Sequence, residues 1–133
     1  MSIDILGNFL TIIRNGIARS KAFVTMPYSK LKYELALILH QEGFISNVQV
    51  VQDENNAINK QLKIVLKYVN NESVIHEITR ISKPSRRIYA GIRDMKPVIG
   101  GLGVSVLTTN KGLLTDKTAK KLRVGGEIIC TVW

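Results

Sequence analysis

The stretch Gly101-Leu102-Gly103-Val104-Ser105-Val106-Leu107-Thr108-Thr109-Asn110-Lys111-Gly112-Leu113-Leu114-Thr115-Asp116 sets a strand, a polar loop and a helix start side by side. Val104 to Leu107 reads as a strand that delivers the loop Thr108–Gly112. Thr115 is a helix cap with Asp116 in the first turn, and Lys120, Lys121 and Arg123 follow near the end of a short helix to about Leu122. Gly125-Gly126 then turns the chain into a final strand, Glu127 to Trp133. Hydroxyls, an amide and an ordinary lysine have no pKa suited to acid–base catalysis near neutrality, but they hydrogen-bond well. Such a set, with a cation beside it for phosphate, suits RNA recognition.

Upstream, Ile3, Leu6, Phe9, Leu10, Ile13 and Ile17 recur at helical spacing, predicting a helix from residue 2 to about 19 with Ser2 as its N-cap. Phe23 to Met26 is β-rich and ends at Pro27. Ser29 caps a second helix with a core face of Leu31, Leu35, Ile38 and Leu39, and Gly43 stops it. Phe44–Val51 and Leu62–Val69 read as strands joined by a polar, Asn-rich loop, Gln52–Gln61. After the break at Asn70-Asn71-Glu72, Val74–Ile81 is a predicted strand, and another begins at Arg86. The expected fold is therefore α+β in two small lobes: residues 1–70, ordered α-β-α-β-β, and residues 71–133, mainly β with one short helix.

The chain has 133 residues and a formal charge of +9, which points to a polyanionic partner. Residues 1–70 hold eight basic and five acidic side chains and residues 71–133 eleven and five, so the stronger field belongs to the C-terminal lobe. The single cysteine, Cys130, lies in an apolar run and reads as a buried small hydrophobe in a reducing compartment. No apolar run approaches the ~20 residues needed to span a bilayer, so a soluble chain without a membrane partner is expected. The opening helix, with Asp4, resembles neither a signal nor a transit peptide.

Catalytic and metal signatures are weak. Ser29-Lys30-Leu31-Lys32 matches a Ser-x-x-Lys pattern but lacks its companion elements, and Gly100-Gly101-Leu102-Gly103 reads as a turn. His40, His76 and one cysteine give no metal-ligand spacing. No cofactor, metal or small-molecule substrate is expected. The basic elements carry more. Lys83-Pro84-Ser85-Arg86-Arg87-Ile88-Tyr89 offers three cations and a ring on a stretch that proline keeps out of helix, able to hold phosphate and stack on a base. Lys30 and Lys32 flank a helix N-terminus where phosphate is also favoured.

The ordered series Ile12-Ile13-Arg14-Asn15, Pro27-Tyr28-Ser29-Lys30-Leu31-Lys32, Glu42-Gly43-Phe44-Ile45, Leu66-Lys67-Tyr68, Arg80-Ile81-Ser82-Lys83-Pro84, Gly101-Leu102-Gly103, Lys111-Gly112 and Val124-Gly125-Gly126-Glu127 closely resembles the S-eight family of small-subunit ribosomal proteins, in its bacterial and plastid form. The resemblance implies a non-enzymatic protein that binds small-subunit ribosomal RNA, helps assemble its central domain and sits among neighbouring small-subunit proteins. It further implies that Thr108, Thr109 and Asn110 read an RNA minor groove and a distorted base, while Lys111, next to Gly112, meets phosphate. Arg86, Arg87 and Tyr89 would flank the same RNA helix, Glu127 would brace the loop, and Lys30 and Lys32 would add a secondary contact. Two positions depart from the family pattern: Asn110 stands where a third Ser is usual, and Ser85 stands where Gly is usual, which would strain serine if the turn needs a positive φ. A stand-alone RNA-binding regulator of the same fold is the alternative reading. Seventeen isoleucines, twelve lysines and nine asparagines suit an AT-rich genome, so the expected location is a plastid stroma or a bacterial cytoplasm.

Overall fold

Apolar side chains three and four apart give the first helix its buried stripe, and the same spacing builds the second. In the computed structural model, which describes residues 5–53, 56–91 and 102–133, the elements run α1 (Ile5–Ala18), β1 (Phe23–Pro27), α2 (Lys30–Gln41), β2 (Ile45–Asp53), β3 (Asn56–Leu66), β4 (Tyr68–Val69), β5 (Glu72–Ser73), β6 (Ile78–Arg80), β7 (Tyr89–Ala90), β8 (Val104–Thr109), β9 (Gly112–Thr115), α3 (Asp116–Leu122) and β10 (Gly126–Val132). The protein is α+β, and its described residues fall into two compact units, Ile5–Ile75 and His76–Trp133. The Asn70-Asn71 turn, with both residues at positive φ (53° and 66°), joins β4 to β5 inside the first of them. No helix among the described residues is long and apolar enough to cross a membrane.

In the Ile5–Ile75 unit a three-stranded antiparallel sheet, ordered β1-β3-β2, carries α1 and α2. Phe9, Leu10 and Ile13 of α1 and Leu35 and Leu39 of α2 are almost fully buried, as are Met26, Leu62 and Ile64 from the sheet. Leu31, predicted on the core face of α2, is instead an exposed residue. It sits in the first turn, ahead of the stripe that meets the sheet. Ser29 caps α2 as expected, its hydroxyl accepting from the Lys32 N–H at 3.1 Å. Among the described residues, helices α1, α2 and α3 end alike. The pairs Lys21 N–H to Gly16 C=O and Ser20 N–H to Ile17 C=O, Phe44 to Leu39 and Gly43 to His40, and Val124 to Ala119 and Arg123 to Lys120 form Schellman turns. Their left-handed residues are Ser20, Gly43 and Arg123, of which glycine alone adopts that geometry freely.

Several predicted boundaries move. The polar segment expected as a loop, Gln52–Gln61, is mostly ladder: β2 and β3 remain paired out to Asp53 and Asn56. A hairpin continues while its backbone partners are satisfied, whatever the polarity of its outer side chains. The predicted Val74–Ile81 strand shrinks to Ile78–Arg80, because His76 and Glu77 N–H both go to the Trp133 carbonyl in place of a ladder. Ser2, Ile3, Asp4, Pro97, Gly100 and Gly101 lie outside the described residues.

The His76–Trp133 unit is organised on β10. Its sheet runs β6-β10-β8-β9, and β7 pairs β10 beside β6 on the edge opposite β8. Leu107, Ala119 and Ala90 form a buried cluster with Leu114, Val124 and Ile128 around it, which fastens α3 to one face. Cys130 is fully buried, and burial pushes its thiol up to about 12. A raised folded-state pKa means that the unfolded thiol ionises first, so Cys130 contributes stability that is complete below the ordinary thiol pKa of 9.0 and is lost as pH rises from there toward about 12. Accordingly, Ellman's reagent at pH 8 should leave the native protein unlabelled and react fully once urea unfolds it. Labelling of the native form at a rate like that of free cysteine would contradict the burial.

Candidate nucleic-acid interface

The predicted Thr108–Gly112 loop is a tight hairpin. Thr108 and Thr109 belong to the β8–β9 ladder, with Thr109 opposite Gly112, and only Asn110 and Lys111 form the turn. Neither has a positive φ, while Gly112 has φ 97°, the pattern of a type I turn closed by a left-handed glycine. Gly112 is thus fixed by backbone geometry, and it is exposed. The Thr109 hydroxyl donates to the Gly112 carbonyl at 2.9 Å and accepts from the Lys111 N–H at 3.0 Å. Its proton is therefore committed to the turn. Thr108 and Asn110 have no side-chain hydrogen bond within the protein among the described residues, and Asn110 and Lys111 project into solvent.

Strand register places the other predicted residues. Tyr89, Glu127, Thr108 and Leu113 are successive cross-strand partners across β7, β10, β8 and β9, so they share one face of the sheet. Ala90, Ile128, Leu107 and Leu114 point the opposite way, toward α3. Tyr89 is 69% exposed, an unusual state for an aromatic ring. Beside it, Lys83-Pro84-Ser85-Arg86 is a closed turn in which Lys83 N–H donates to Arg86 C=O (2.9 Å) and Arg86 N–H to Lys83 C=O (3.0 Å). Proline fixes the first central φ, and Ser85 has no positive φ, so serine in place of glycine brings no strain. Lys83, Arg86 and Arg87 are exposed.

Glu127, expected to brace the loop from the last strand, lies opposite Thr108 in the β10–β8 ladder. Its carboxylate meets the Arg87 guanidinium at 3.1 Å, with the acid mostly buried and the arginine half-exposed. The pair holds Arg87 beside the Tyr89–Thr108 row, and among the described residues Lys83, Arg86 and Lys111 have no carboxylate partner. Lys30 and Lys32 belong to the other compact unit, at the N-terminal turn of α2. There Lys30 is exposed, and partial burial lowers the Lys32 ammonium pKa.

Two supports escaped the sequence reading. Ser82 is buried; its N–H donates to Ile128 C=O and its hydroxyl accepts from Ile88 N–H at 2.8 Å, which ties the basic turn to β10. A side chain on Gly126 would overlap the Thr108 carbonyl, so β10 approaches the loop through a missing Cβ. Ser82, just past the predicted Val74–Ile81 strand, and the pair Gly125-Gly126 were the available signals, and the glycines read equally well as ordinary turn residues. Among the described residues no group of three His, Cys, Asp or Glu side chains converges as a metal site. The arrangement offers cations, one open ring and hydrogen-bonding side chains on a fixed frame, which is equipment for holding a polyanion.

Mutation separates frame from contact. Thr109→Ala should lower unfolding free energy by about 0.5–1.5 kcal/mol while Asn110→Ala stays within about 0.5 kcal/mol, both read by urea titration. Gly126→Ala should cost about 1–3 kcal/mol or more by the same measurement.

Comparison with known proteins agrees over almost the whole chain. The family model described as Ribosomal protein S8 matches residues 4–133. Proteins named small ribosomal subunit protein uS8 are similar: that of Acidobacterium capsulatum is 44% identical over 98% of this chain and 97% of its own length, and that of Citrifermentans bemidjiense 46% over the same shares. The Solibacter usitatus protein is 44% identical with both chains covered fully.

Proposed function

This chain belongs to the ribosomal protein S8 family, and on that premise we propose that its His76–Trp133 unit grips an irregular helix in the central domain of small-subunit ribosomal RNA. Membership makes the protein a structural, RNA-binding constituent of the small ribosomal subunit, in a family whose role is structural and not catalytic, with ribosomal RNA and ribosomal proteins as partners. The similar proteins quoted are bacterial. A bacterial-type ribosome, in a bacterial cytoplasm or a plastid, is the setting we assign.

The observation that carries the reading is the aligned row Tyr89–Glu127–Thr108 with the Asn110–Lys111 turn at one end and the Lys83–Arg87 turn beside the other. Lys83, Arg86, Arg87 and Lys111 neutralise phosphates, and Tyr89 lies open to a base or ribose. Thr108 and Asn110 carry the discrimination, since their side chains are uncommitted within the protein, whereas Thr109 shapes the turn and Gly112 closes it. An amide at 110 donates and accepts with longer reach than a hydroxyl, so it satisfies a base edge that serine would leave to water. Lys30 and Lys32 serve a secondary contact at the N-terminus of α2.

Filter binding to a central-domain hairpin RNA over a salt series tests this assignment. Lys111→Ala should weaken binding and flatten the log–log salt slope by about 0.9, one phosphate's worth. Asn110→Ala should cost about 1–3 kcal/mol at low and high salt alike. Unchanged affinity in both variants would remove the hairpin tip from the interface.

A further inference from the structure

Helix α3 lies on the far side of its sheet from the proposed RNA contact, and its outward surface has no part in that contact. Ala119 is buried in a cluster with Leu107 and Ala90, which sets one side of the helix against the sheet. With about 3.6 residues to a turn, the opposite side carries Lys117, Lys120 and Lys121, three and four apart, with Thr118 and Leu122 along the neighbouring flank. Each of these is exposed.

The charge there has one sign. Between positions 117 and 123 the sequence holds three lysines, Arg123 and no acid. The carboxylate next to them in the chain, Asp116, is buried and accepts from the Ser105 N–H at 3.3 Å, so it is turned into the sheet and away from the lysines. Among the described residues Lys120 and Lys121 have no carboxylate partner. The helix dipole favours the cations of the last turn, but it does not favour Lys117 in the first and has no bearing on Leu122, which is 45% exposed. Helix stability alone therefore leaves this surface unexplained.

A ridge of ammonium groups suits either the phosphates of a nucleic acid or the carboxylates of a protein, and the groups beside it favour the second. From 116 to 123 the helix and its cap offer no aromatic ring and no side-chain amide for a base, and the Thr118 hydroxyl already accepts from the Thr115 hydroxyl at 3.1 Å. Leu122 gains nothing against phosphate and sugar. Against a protein segment it buries apolar surface while carboxylates face the lysines, so every exposed group of the face is used. RNA held on the Tyr89–Glu127–Thr108 row leaves this side open.

We propose that the outer face of α3 docks an acidic segment of a neighbouring protein in the small subunit, with carboxylates on Lys120 and Lys121, Lys117 adding to the field, and an apolar side chain on Leu122. Docking there rests on the chain's place in the small subunit and is independent of which RNA helix the opposite face holds.

A benzoylphenylalanine crosslinker in place of Leu122, in chains assembled into small subunits in cells, reads the occupant directly. Irradiation of the purified subunits should give a cross-link that survives ribonuclease, to a peptide that mass spectrometry shows to hold more carboxylates than cations. Adding Lys120→Gln and Lys121→Gln should lower its yield about fivefold, as two surface ion pairs are lost. In filter binding the same two substitutions should keep hairpin RNA affinity within about threefold of the unaltered protein. A cross-link to RNA alone, a neutral or basic partner peptide, no cross-link, or a yield indifferent to the two substitutions would each overturn the proposal. Hairpin binding weakened by the lysine pair as strongly as by Lys111→Ala would overturn it too, by giving α3 to RNA. Failure of every form to bind the hairpin, with the protein cross-link and its dependence on the lysines intact, would sink the proposed RNA contact and leave the docking face standing.

Discussion

The His76–Trp133 unit depends on one strand being paired along both edges. β10 takes β8 on one side and β6 and β7 on the other, and at Glu127 the two ladders meet in a single row. A central strand with both edges satisfied is the least free part of a sheet, because moving it breaks hydrogen bonds on two sides. Whatever hangs from it inherits that rigidity. The β8–β9 hairpin tip and the Lys83–Arg86 turn, distant in sequence, become fixed neighbours through β10, and Ser82 and Gly126 are the residues that allow the close approach.

That arrangement divides the polar side chains into those that hold shape and those left for a partner. Thr109 spends its proton on the turn, Ser82 serves the backbone, and Glu127 holds Arg87. The Arg87–Glu127 pair is too exposed to contribute much stability, so its consequence is chiefly orientation. Thr108, Asn110 and Tyr89 remain uncommitted on the face turned away from α3, which is where the proposed RNA contact needs them. Pre-setting the frame lowers the ordering cost of binding, so the few contacting groups go further.

Much of the fold was legible from residues 1–133. Periodicity located α1 and α2, and the caps at Ser29 and Thr115 and the stop at Gly43 were readable because each answers a local backbone need that few residue types meet. Strand ends were less legible. The outer β2–β3 ladder and the short β9 are settled by backbone pairing across a hairpin, which side-chain polarity does not report, and the contraction of Val74–Ile81 by the Trp133 carbonyl, far away in sequence. At the candidate interface the residue types were readable, but their division of labour was not. A threonine reads the same whether its hydroxyl faces solvent or closes a turn, and the carboxylate of Glu127 reaches an arginine forty residues away.

NMR chemical-shift mapping of the full chain with a central-domain hairpin RNA tests the central claim most directly, because it reports on both faces of the β10 sheet at once. The account predicts that amide shifts gather at residues 83–89, 108–112 and 127 and leave Lys117–Lys121 of α3 nearly unmoved. Shifts centred on α3, with the Tyr89–Glu127–Thr108 row unchanged, would contradict it.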